Sequence, residues 1–298
     1  MSSTCKREDA KDHAALIQAT LLATKNCPIL ASIRTVSLAS DGEARRGKSL
    51  VLLTFKGTLS MDSPIYELLS PLKFLDLHVG DDDITADKDY KHVAFKRPRN
   101  LLLRERGTLV HGFQITPAII RQHLVADGHS QAHVNALLKP EDKQDVKLAF
   151  DLLQDIWALK PLDEISSESS SCPTPGFIKA RQSLCILGRL LYHLIMPYVC
   201  VDLSLAEQLT YLSFAAHLTL ALFVDSNAGR RFFPSQLFID IMIMIKNVFF
   251  CVAKTKIDDP EGCFWLLLLG TDRLEALFGI LRSIVGNDNG LDMIQVGV

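Results

Sequence analysis

The sequence predicts a helix-rich α/β protein, with a small sheet in the first third of the chain and helices in the rest. Strand-like patterns are confined to residues 33–89, whereas helical patterns dominate from residue 108 onward. The chain has 298 residues, of which 48% are hydrophobic, and a mean hydropathy of +0.18. This length and composition are sufficient for one large or two modest domains with a substantial buried core.

The first part of the chain combines one helix with a predicted β-hairpin. Residues 8–25 are rich in Ala and Leu and predict a helix, which Pro28 ends. Residues 33–57 begin with alternating apolar and polar side chains and continue into the β-rich run SLVLLTF at 49–55, so we expect a hairpin with DGEARRGK between its strands. Asp41 lies where the first predicted strand gives way to the turn, and Asp-Gly is by itself an ordinary hairpin-turn dipeptide.

A charged segment follows the short apolar stretch ITA at 84–86. Asp87 and Asp89 come directly after this stretch, and basic residues with interleaved aromatic side chains follow. The pattern leaves two interpretations open, a solvated charged face and a surface for a nucleic-acid backbone. The basic residues are Lys88, Lys91, Lys96, Arg97, Arg99, Arg104 and Arg106, and the aromatic residues are Tyr90 and Phe95.

From residue 108 onward the sequence predicts mainly helices. Thr116 is a favourable N-cap with Pro117 at the first helical position, and residues 139–160 carry an amphipathic stripe. Residues 166–176 are rich in Ser and Pro and predict a loop. Further helices are expected near residues 177–196, 203–224, 234–253 and 270–284.

The sequence disfavours several classes of protein. Each long apolar run is interrupted by charged or polar residues, which predicts core helices and no membrane partner. Seven Cys without a C-x-x-C pair, and an N-terminus without the apolar segment of a signal peptide, indicate an intracellular protein. The net charge of −2 disfavours DNA binding over the whole surface. His129 and His133 have the i, i+4 spacing of metal ligands, but no third ligand is evident, so ordinary structural histidines are expected.

The segment GTDRLEALFGILRS, residues 270–283, has the most distinctive pattern. Its apolar side chains recur at i, i+3, i+4 and i+7, which places one apolar stripe on a helix. Asp272 and Glu275 are three residues apart and therefore neighbour each other on the helix surface. Spacing alone explains Asp272 as an acid favoured at a helix start and Glu275 as a solvated side chain. The stripe consists of Leu274, Leu277, Phe278 and Leu281.

This GTD-x-LE-x-LFG-x-LR pattern resembles the last catalytic segment of the P element transposases and of their relatives with a THAP-type zinc finger. It is especially similar to fungal transposase-like proteins. The resemblance implies an α/β fold in which an RNase H-like mixed sheet is interrupted by a large all-α insertion domain. In that family the D-x-x-E pair opens the helix that delivers the final metal-binding acid. Glu275 is therefore expected to be that acid, with Asp272 beside it.

The resemblance extends to two upstream segments that supply the other acids. SLASDG at 37–42 is similar to the strand end that carries the first acid, which is Asp41 here. The family then carries D-x-x-H followed by a Lys and an Arg-Asn pair at the entry to a helix. This makes Asp89 the second acid, while Asp87 stays open as an alternative. The matching residues are Asp89, Tyr90, Lys91 and His92, followed by Lys96, Arg99 and Asn100.

The second of these segments departs from the family pattern in two ways. One residue is added between His92 and Lys96, and Pro98 lies inside the stretch that should become a helix. Proline in a helix interior costs about 3 kcal/mol. The helix is therefore expected to start only at Arg99.

The resemblance implies a DNA nuclease and strand transferase. Two Mg²⁺ or Mn²⁺ ions would be held by Asp41, Asp89 and Glu275, with Asp272 as an additional acid, because hard cations prefer carboxylate oxygens. The expected partners are DNA and further copies of the chain in a homo-oligomer, and the expected compartment is the nucleus. The P element also implies a guanine nucleotide, for which no residue here matches. The residues expected to contact DNA are Lys91, His92, Lys96, Arg97, Arg99, Asn100 and Arg282.

The resemblance and the residue patterns together predict the domain organisation. We expect an N-terminal helix at 1–30, the first part of the core at 31–107, a helical insertion at 108–269 and the catalytic helix at 270–298. The lack of a zinc-ligand domain leads us to expect a truncated or domesticated copy. Two alternatives remain: a catalytically inactive transposase-derived protein that binds DNA or protein, and an unrelated helical interaction protein.

Overall fold

The chain divides into two compact units in a computed structural model. The first unit consists of Met1–Asp89 and Lys246–Val298, and the second consists of Tyr90–Ile245. Each unit is described here by itself. The structure describes residues 9–30, 32–40, 44–139, 145–162, 173–225 and 229–284.

Helices predominate in the described residues, and the strands are short. The strands are β1 (Ser37–Ser40), β2 (Gly57–Thr58), β3 (His78–Val79), β4 (Thr85–Lys88), β5 (Thr108–Val110) and β6 (Phe113–Ile115). The helices are α1 (Ala10–Asn26), α2 (Ala44–Thr54), α3 (Tyr66–Leu69), α4 (Arg97–Leu102), α5 (Pro117–Ala126), α6 (Gln131–Leu137), α7 (Val146–Trp157), α8 (Pro175–Val199), α9 (Leu205–Asp225), α10 (Gly229–Phe232), α11 (Ser235–Asp258) and α12 (Asp272–Ile284). The helices expected near 177–196, 203–224, 234–253 and 270–284 are confirmed as α8, α9, α11 and α12.

A parallel strand pair organises the first unit. β1 and β4 run side by side in the same direction, with Ser37 opposite Thr85 and Ser40 opposite Lys88. Parallel neighbours need a crossover connection between them, and α2 lies within this one. α2 packs against α1 and against both strands. The carboxyl ends of β1 and β4 therefore meet at the same edge.

The helix α2 corrects the predicted hairpin. The run SLVLLT was expected to be a strand, but it is helical from Ala44 to Thr54. Its buried side chains are Ser49, Leu50, Leu53 and Thr54, whereas Val51 and Leu52 are exposed. This burial follows one face of a helix and not the alternation of a strand. Packing on one face has thus overridden the β-propensity of the residues.

The core of the first unit joins residues from distant parts of the chain. Side chains that follow β2 and precede β4 pack against the C-terminal half of α11. Gly80 allows the chain after β3 to approach the end of α2 closely, because a Cβ at this position would lie 2.0 Å from the carbonyl oxygen of Leu53. The core cluster consists of Leu59, Ile65, Leu69, Val79, Phe250 and Ala253.

The second unit is centred on three helices. α8 packs against α7 and against α9, and the contacting faces are apolar and almost fully buried. Gly188 permits the close crossing of α8 and α7, because a Cβ there would lie 2.8 Å from the Cα of Trp157. Buried side chains at these contacts include Leu152, Leu153, Ile156, Leu184, Leu187, Leu191, Leu212 and Ala215.

The second unit also contains a hairpin that the sequence patterns did not predict. β5 and β6 are antiparallel, with Thr108 opposite Ile115 and Val110 opposite Phe113. The connecting residues His111 and Gly112 both have positive φ, at 46° and 74°. Positive φ at both central positions is the geometry of a type I′ turn, which suits the twist of a two-residue hairpin.

The residues after Asp89 form an unusual helical segment. Lys91–Lys96 is π-helical and leads directly into α4, which begins at Arg97. The N–H of Arg97 donates to the carbonyl of His92, five residues earlier. Pro98 lies near the start of α4, where its fixed φ and missing N–H are tolerated. The expectation that helix starts only at Arg99 is therefore wrong.

Among the described helices, α11 alone is long and apolar enough to cross a membrane. Of its most apolar window, 67% is buried inside the protein. Its polar side chains are engaged, since Lys246 donates to Asp76 at 2.7 Å and the Lys254 ammonium donates to the Val36 carbonyl at 2.7 Å. These features are those of a core helix, in which buried polar groups have partners within the protein.

Arg181 joins three elements of the second unit from inside the core. Its side chain is 1% exposed and forms an ion pair of 2.9 Å with Asp127, which is 7% exposed. The guanidinium also donates to the carbonyls of Lys160 and His123, each at 3.3 Å. A buried guanidinium needs this number of acceptors, because its charge has been removed from water.

Replacing Arg181 with Met should therefore destabilise the protein strongly. We expect Arg181→Met to lower the free energy of unfolding by about 3–5 kcal/mol, because Asp127 would be left as an uncompensated buried charge. Arg189→Met is the matched control on the same helix, since Arg189 is exposed. The control should stay within about 0.5 kcal/mol of the parent protein. Denaturant unfolding of both variants measures the difference, and equal effects would contradict this account.

Candidate functional site

One face of β4 and the residue that follows it carries a row of polar side chains. Thr85, Asp87 and Asp89 alternate with Ala86 and Lys88, so they point to the same side of the strand. Thr85 donates its hydroxyl to the Asn247 side chain at 2.7 Å. All three polar residues of this row are buried, at 1%, 1% and 2% exposure. Buried carboxylates so close together require specific partners.

Asp87 uses both carboxylate oxygens to hold backbone N–H groups. The N–H of Lys88 donates to Oδ1 at 2.8 Å, and the N–H of Gly270 donates to Oδ2 at 2.9 Å. Burial raises the pKa of Asp87 to about 7, although these hydrogen bonds and one from Asn247 act in the opposite direction. The nearby charge of Asp89 raises this pKa further. Asp87 therefore fastens the chain at Gly270 to the middle of the strand.

Asp89 directly follows the strand and contacts the next residue of the same distant segment. The hydroxyl of Thr271 donates to Oδ2 of Asp89 at 2.5 Å, and the N–H of Asp89 donates to the Ser40 carbonyl at 3.3 Å. Hydrogen bonds to a charged carboxylate are short and strong. Asp89 is thus held between the end of β1 and the residue that precedes α12.

These contacts bring the start of α12 to the carboxyl end of β4. Asp272 is the first residue of α12, and Glu275 lies on the same helix about one turn further on. The helix is anchored at its start, since the N–H of Leu274 donates to the Thr271 carbonyl at 2.9 Å. Asp41 lies outside the described residues. Its preceding residue, Ser40, is paired with Lys88, which precedes Asp89.

Sequence reasoning missed three residues that hold this arrangement. Thr271 and Gly270 belong to the distinctive C-terminal motif, but only its acids and Arg282 were assigned a role. Asn247 was not recognised either. The Gly-Thr pair directly before Asp272 was a signal that Thr271 makes a hydrogen bond, because a hydroxyl beside a helix start commonly makes a local one. Here Thr271 instead donates to Asp89, which follows β4 and is remote in sequence, so spacing alone does not reveal the contact.

The predicted DNA-contacting residues between 91 and 100 belong to the second unit. Lys91, His92, Lys96, Arg97 and Asn100 are partly buried. The Arg97 guanidinium donates to the Asp240 carboxylate, and the Lys96 ammonium lies 3.5 Å from Nε2 of His92. Arg282 is part of α12. Their contact with DNA stays a prediction.

Arg99 and the two aromatic residues of this segment lie in the interior. Arg99 is 1% exposed and donates to the carbonyls of Leu137 and Lys139, at 3.2 and 2.9 Å. It therefore offers no surface to a DNA backbone in this structure. Tyr90 and Phe95 are each 3% exposed. Tyr90 stacks on Tyr198 at a centroid distance of 4.6 Å, so these aromatic side chains belong to the core.

The fold is similar to that of one known protein assembly. No protein-family model matches the chain, and no curated protein matches its sequence. A chain of the Drosophila P element transposase strand transfer complex matches with a TM-score of 0.59 and 15% sequence identity. The match covers 97% of this chain and 62% of the Drosophila chain. At this identity the similarity establishes a shared fold, on which function must be argued from the site.

Removing the charge of Asp87 should flatten the pH dependence of stability. The pKa of Asp87 is raised from 3.8 to about 7. The contribution of Asp87 to the free energy of unfolding is therefore fully present below pH 3.8 and is lost as the pH rises through 7. Between pH 5 and 8 the free energy of unfolding of the parent protein should fall relative to Asp87→Asn by about 2 kcal/mol. Denaturant unfolding at both pH values measures this difference.

Asp62→Asn is the matched control for this experiment. Asp62 lies on an exposed turn, so the control should follow the parent protein at both pH values. Titrating groups that do not interact with the substituted residues cancel in the comparison, whereas Asp89 interacts with Asp87 and forms part of the measured difference. A pH dependence of Asp87→Asn equal to that of the parent protein would contradict the assignment of this pKa to Asp87.

Proposed function

We propose that this chain is the RNase H-like core of a transposase-derived DNA nuclease or strand transferase, with a helical insertion. The observation that carries the proposal is the pair of hydrogen bonds from Gly270 and Thr271 to Asp87 and Asp89. They bring the GTD-x-LE motif to a strand end that carries a second acid. The shared fold with a P element transposase supports the same reading.

The geometry favours Asp89 over Asp87 as the acid that acts at the strand end. Asp87 lies within the strand, and both of its oxygens accept backbone N–H groups. Asp89 comes after the strand, at the edge where Ser40 also ends β1. In the proposed site Asp41, Asp89 and Glu275 are the acting acids and Asp272 is an additional one. Asp87 positions the C-terminal segment against them.

The donor chemistry of this site fits Mg²⁺ or Mn²⁺. The proposed ligands are carboxylates, which are the oxygen donors that hard cations prefer. When bound, two such ions would activate the attacking oxygen and stabilise the leaving oxygen of a phosphodiester. The protein's own residues orient the acids. The Thr271 hydroxyl fixes the rotation of the Asp89 carboxylate, as partners of metal-ligating groups commonly do.

DNA is the proposed partner, and the nucleus is the compartment that follows from it. The proposed assembly is a homo-oligomer. Binding would rest on a local patch, because the net charge of the chain is −2. We place this patch at Lys91, Lys96 and Arg97, which retain some exposure.

Cleavage of DNA by the full chain tests the proposed activity. With Mn²⁺ the parent protein should nick supercoiled plasmid, and Asp89→Asn and Asp41→Ala should reduce nicking to background. Thr271→Val should reduce the rate about 10–100-fold, since removing a partner of a metal ligand typically has this effect. Thr271→Ser keeps the hydroxyl and should restore most of the rate.

The exposed Asp62→Asn variant again provides the control and should nick like the parent protein. If the parent protein binds duplex DNA but the acid variants leave its nicking unchanged, the acids are not catalytic. If it binds DNA and does not nick at all, the inactive DNA-binding alternative is favoured. A protein with neither property would favour a helical interaction protein and overturn the proposal.

DNA binding can be tested separately through its salt dependence. A lysine that contacts a phosphate contributes a slope of about 1 to the plot of log affinity against log salt. Lys91→Ala should therefore weaken duplex binding and reduce the magnitude of this slope by about 1. Lys179→Ala removes the same charge from an exposed position on α8 and is the matched control. Equal slopes for the two variants would exclude Lys91 from the interface.

A further inference from the structure

Two histidines and one aspartate converge in the second unit, and none of them belongs to the proposed acidic site. They are His129, His133 and Asp155, and their potential ligand atoms all lie within 4.8 Å of one another. Among the described residues, this is the group of His, Cys, Asp or Glu side chains with the geometry to hold a metal ion. We propose that it is a binding site for a divalent transition-metal ion, with Zn²⁺ as the best-suited ion.

The distances leave room for an ion with small movements of the side chains. Nε2 of His133 lies 2.7 Å from Oδ2 of Asp155, and Nδ1 of His129 lies 3.7 Å from the same oxygen. Ligands about 2.0–2.2 Å from a tetrahedral Zn²⁺ are separated by about 3.3–3.5 Å. The observed separations lie on either side of that value. The imidazole rings are nearly parallel, with an interplanar angle of 15° and centroids 5.4 Å apart.

The backbone around these residues is well defined by hydrogen bonds. The N–H of His129 donates to the Leu124 carbonyl at 3.1 Å, which fixes the chain just before α6. Ser130 caps α6, and its hydroxyl oxygen accepts from the N–H of His133 at 3.2 Å. Asp155 lies on α7, against which α6 packs. Each of the three side chains thus extends from backbone that is fixed by hydrogen bonds or by a helix, as a preorganised site requires.

The donor set selects among metal ions. Two imidazole nitrogens and one carboxylate oxygen suit Zn²⁺ and its transition-metal neighbours, whereas Mg²⁺ and Ca²⁺ prefer oxygen ligands throughout. Three protein ligands with a fourth position for water are typical of an open zinc site. The side chains of His129 and His133 are 28% and 44% exposed, so an ion can reach them from solvent.

The plainer alternative is a hydrogen bond between His133 and Asp155 that joins α6 to α7, with His129 stacked beside it. Both accounts predict a cost in stability when the cluster is disrupted. The two accounts differ in metal binding, because only the metal-site account predicts that these side chains bind Zn²⁺. The ion would also compete with protons for the imidazoles, so its affinity should fall as the pH is lowered.

Titration of the metal-free full chain with Zn²⁺, followed by calorimetry, tests the proposal. The parent protein should bind one equivalent of Zn²⁺ saturably at this site. In His133→Gln and in His129→Gln the affinity for this equivalent should fall by about 100-fold or more. Asp155→Asn should weaken it as well. Any ion held by the acidic site would remain in these variants, so the stoichiometry falls by one equivalent. Asp89→Asn should keep this equivalent, which separates it from the proposed nuclease site.

His111→Gln is the matched control, because His111 lies 3.9 Å from Asp225 in a histidine–carboxylate pair that, among the described residues, belongs to no candidate metal cluster. It should bind Zn²⁺ like the parent protein. Thermal unfolding with and without Zn²⁺ guards against misfolded variants. The site is supported if the variants still unfold cooperatively without the ion, at whatever Tm, and lose the increase in Tm that Zn²⁺ causes in the parent protein. The proposal is overturned if the parent protein binds no Zn²⁺, or if the histidine variants bind it unchanged.

Discussion

The first unit depends on one constraint. Two buried carboxylates, Asp87 on β4 and Asp89 directly after it, are paired with the backbone N–H of Gly270 and the hydroxyl of Thr271. These contacts join segments that are 183 and 182 residues apart in the chain. Burying the Asp87 carboxylate is costly, and the N–H groups of Lys88 and Gly270 offset part of that cost. If Gly270 and Thr271 lay elsewhere, both acids would be buried without these hydrogen-bond partners. The position of α12 therefore follows from the need to satisfy these acids.

The π-helical segment coincides with the place where the sequence departs from the transposase pattern that it resembles. One residue more than expected separates His92 from Lys96, and Lys91–Lys96 is the segment that forms a π-helix. A turn closed by a bond to the fifth preceding residue holds one residue more than an α-helical turn. The extra residue is thereby absorbed within the helix. The residues beyond it, from Arg97 onward, then continue as an ordinary helix.

The sequence predicted the long helices well and the short elements poorly, for physical reasons. Helices such as α8 and α11 carry many residues that report the same periodicity, whereas β5 and β6 have three residues each. The error at α2 arose because SLVLLT has the composition of a strand, while its burial is set by packing on one helical face. The candidate acids were named from the resemblance of their motifs, and their roles stay a prediction. Thr271 and Gly270 were not named, because their partners are remote in sequence.

The balance of positive and negative residues proves a poor guide to the surface of this protein. Arg99, Arg181 and Lys254 are each at most 1% exposed. Their charges neutralise carbonyl dipoles and buried acids, so they contribute little to the field that a polyanion meets. The net charge of −2 therefore does not by itself show how many cations face the solvent. Any DNA affinity must come from the cations that remain at the surface, and single substitutions of those that contact phosphate should have measurable effects on the salt dependence.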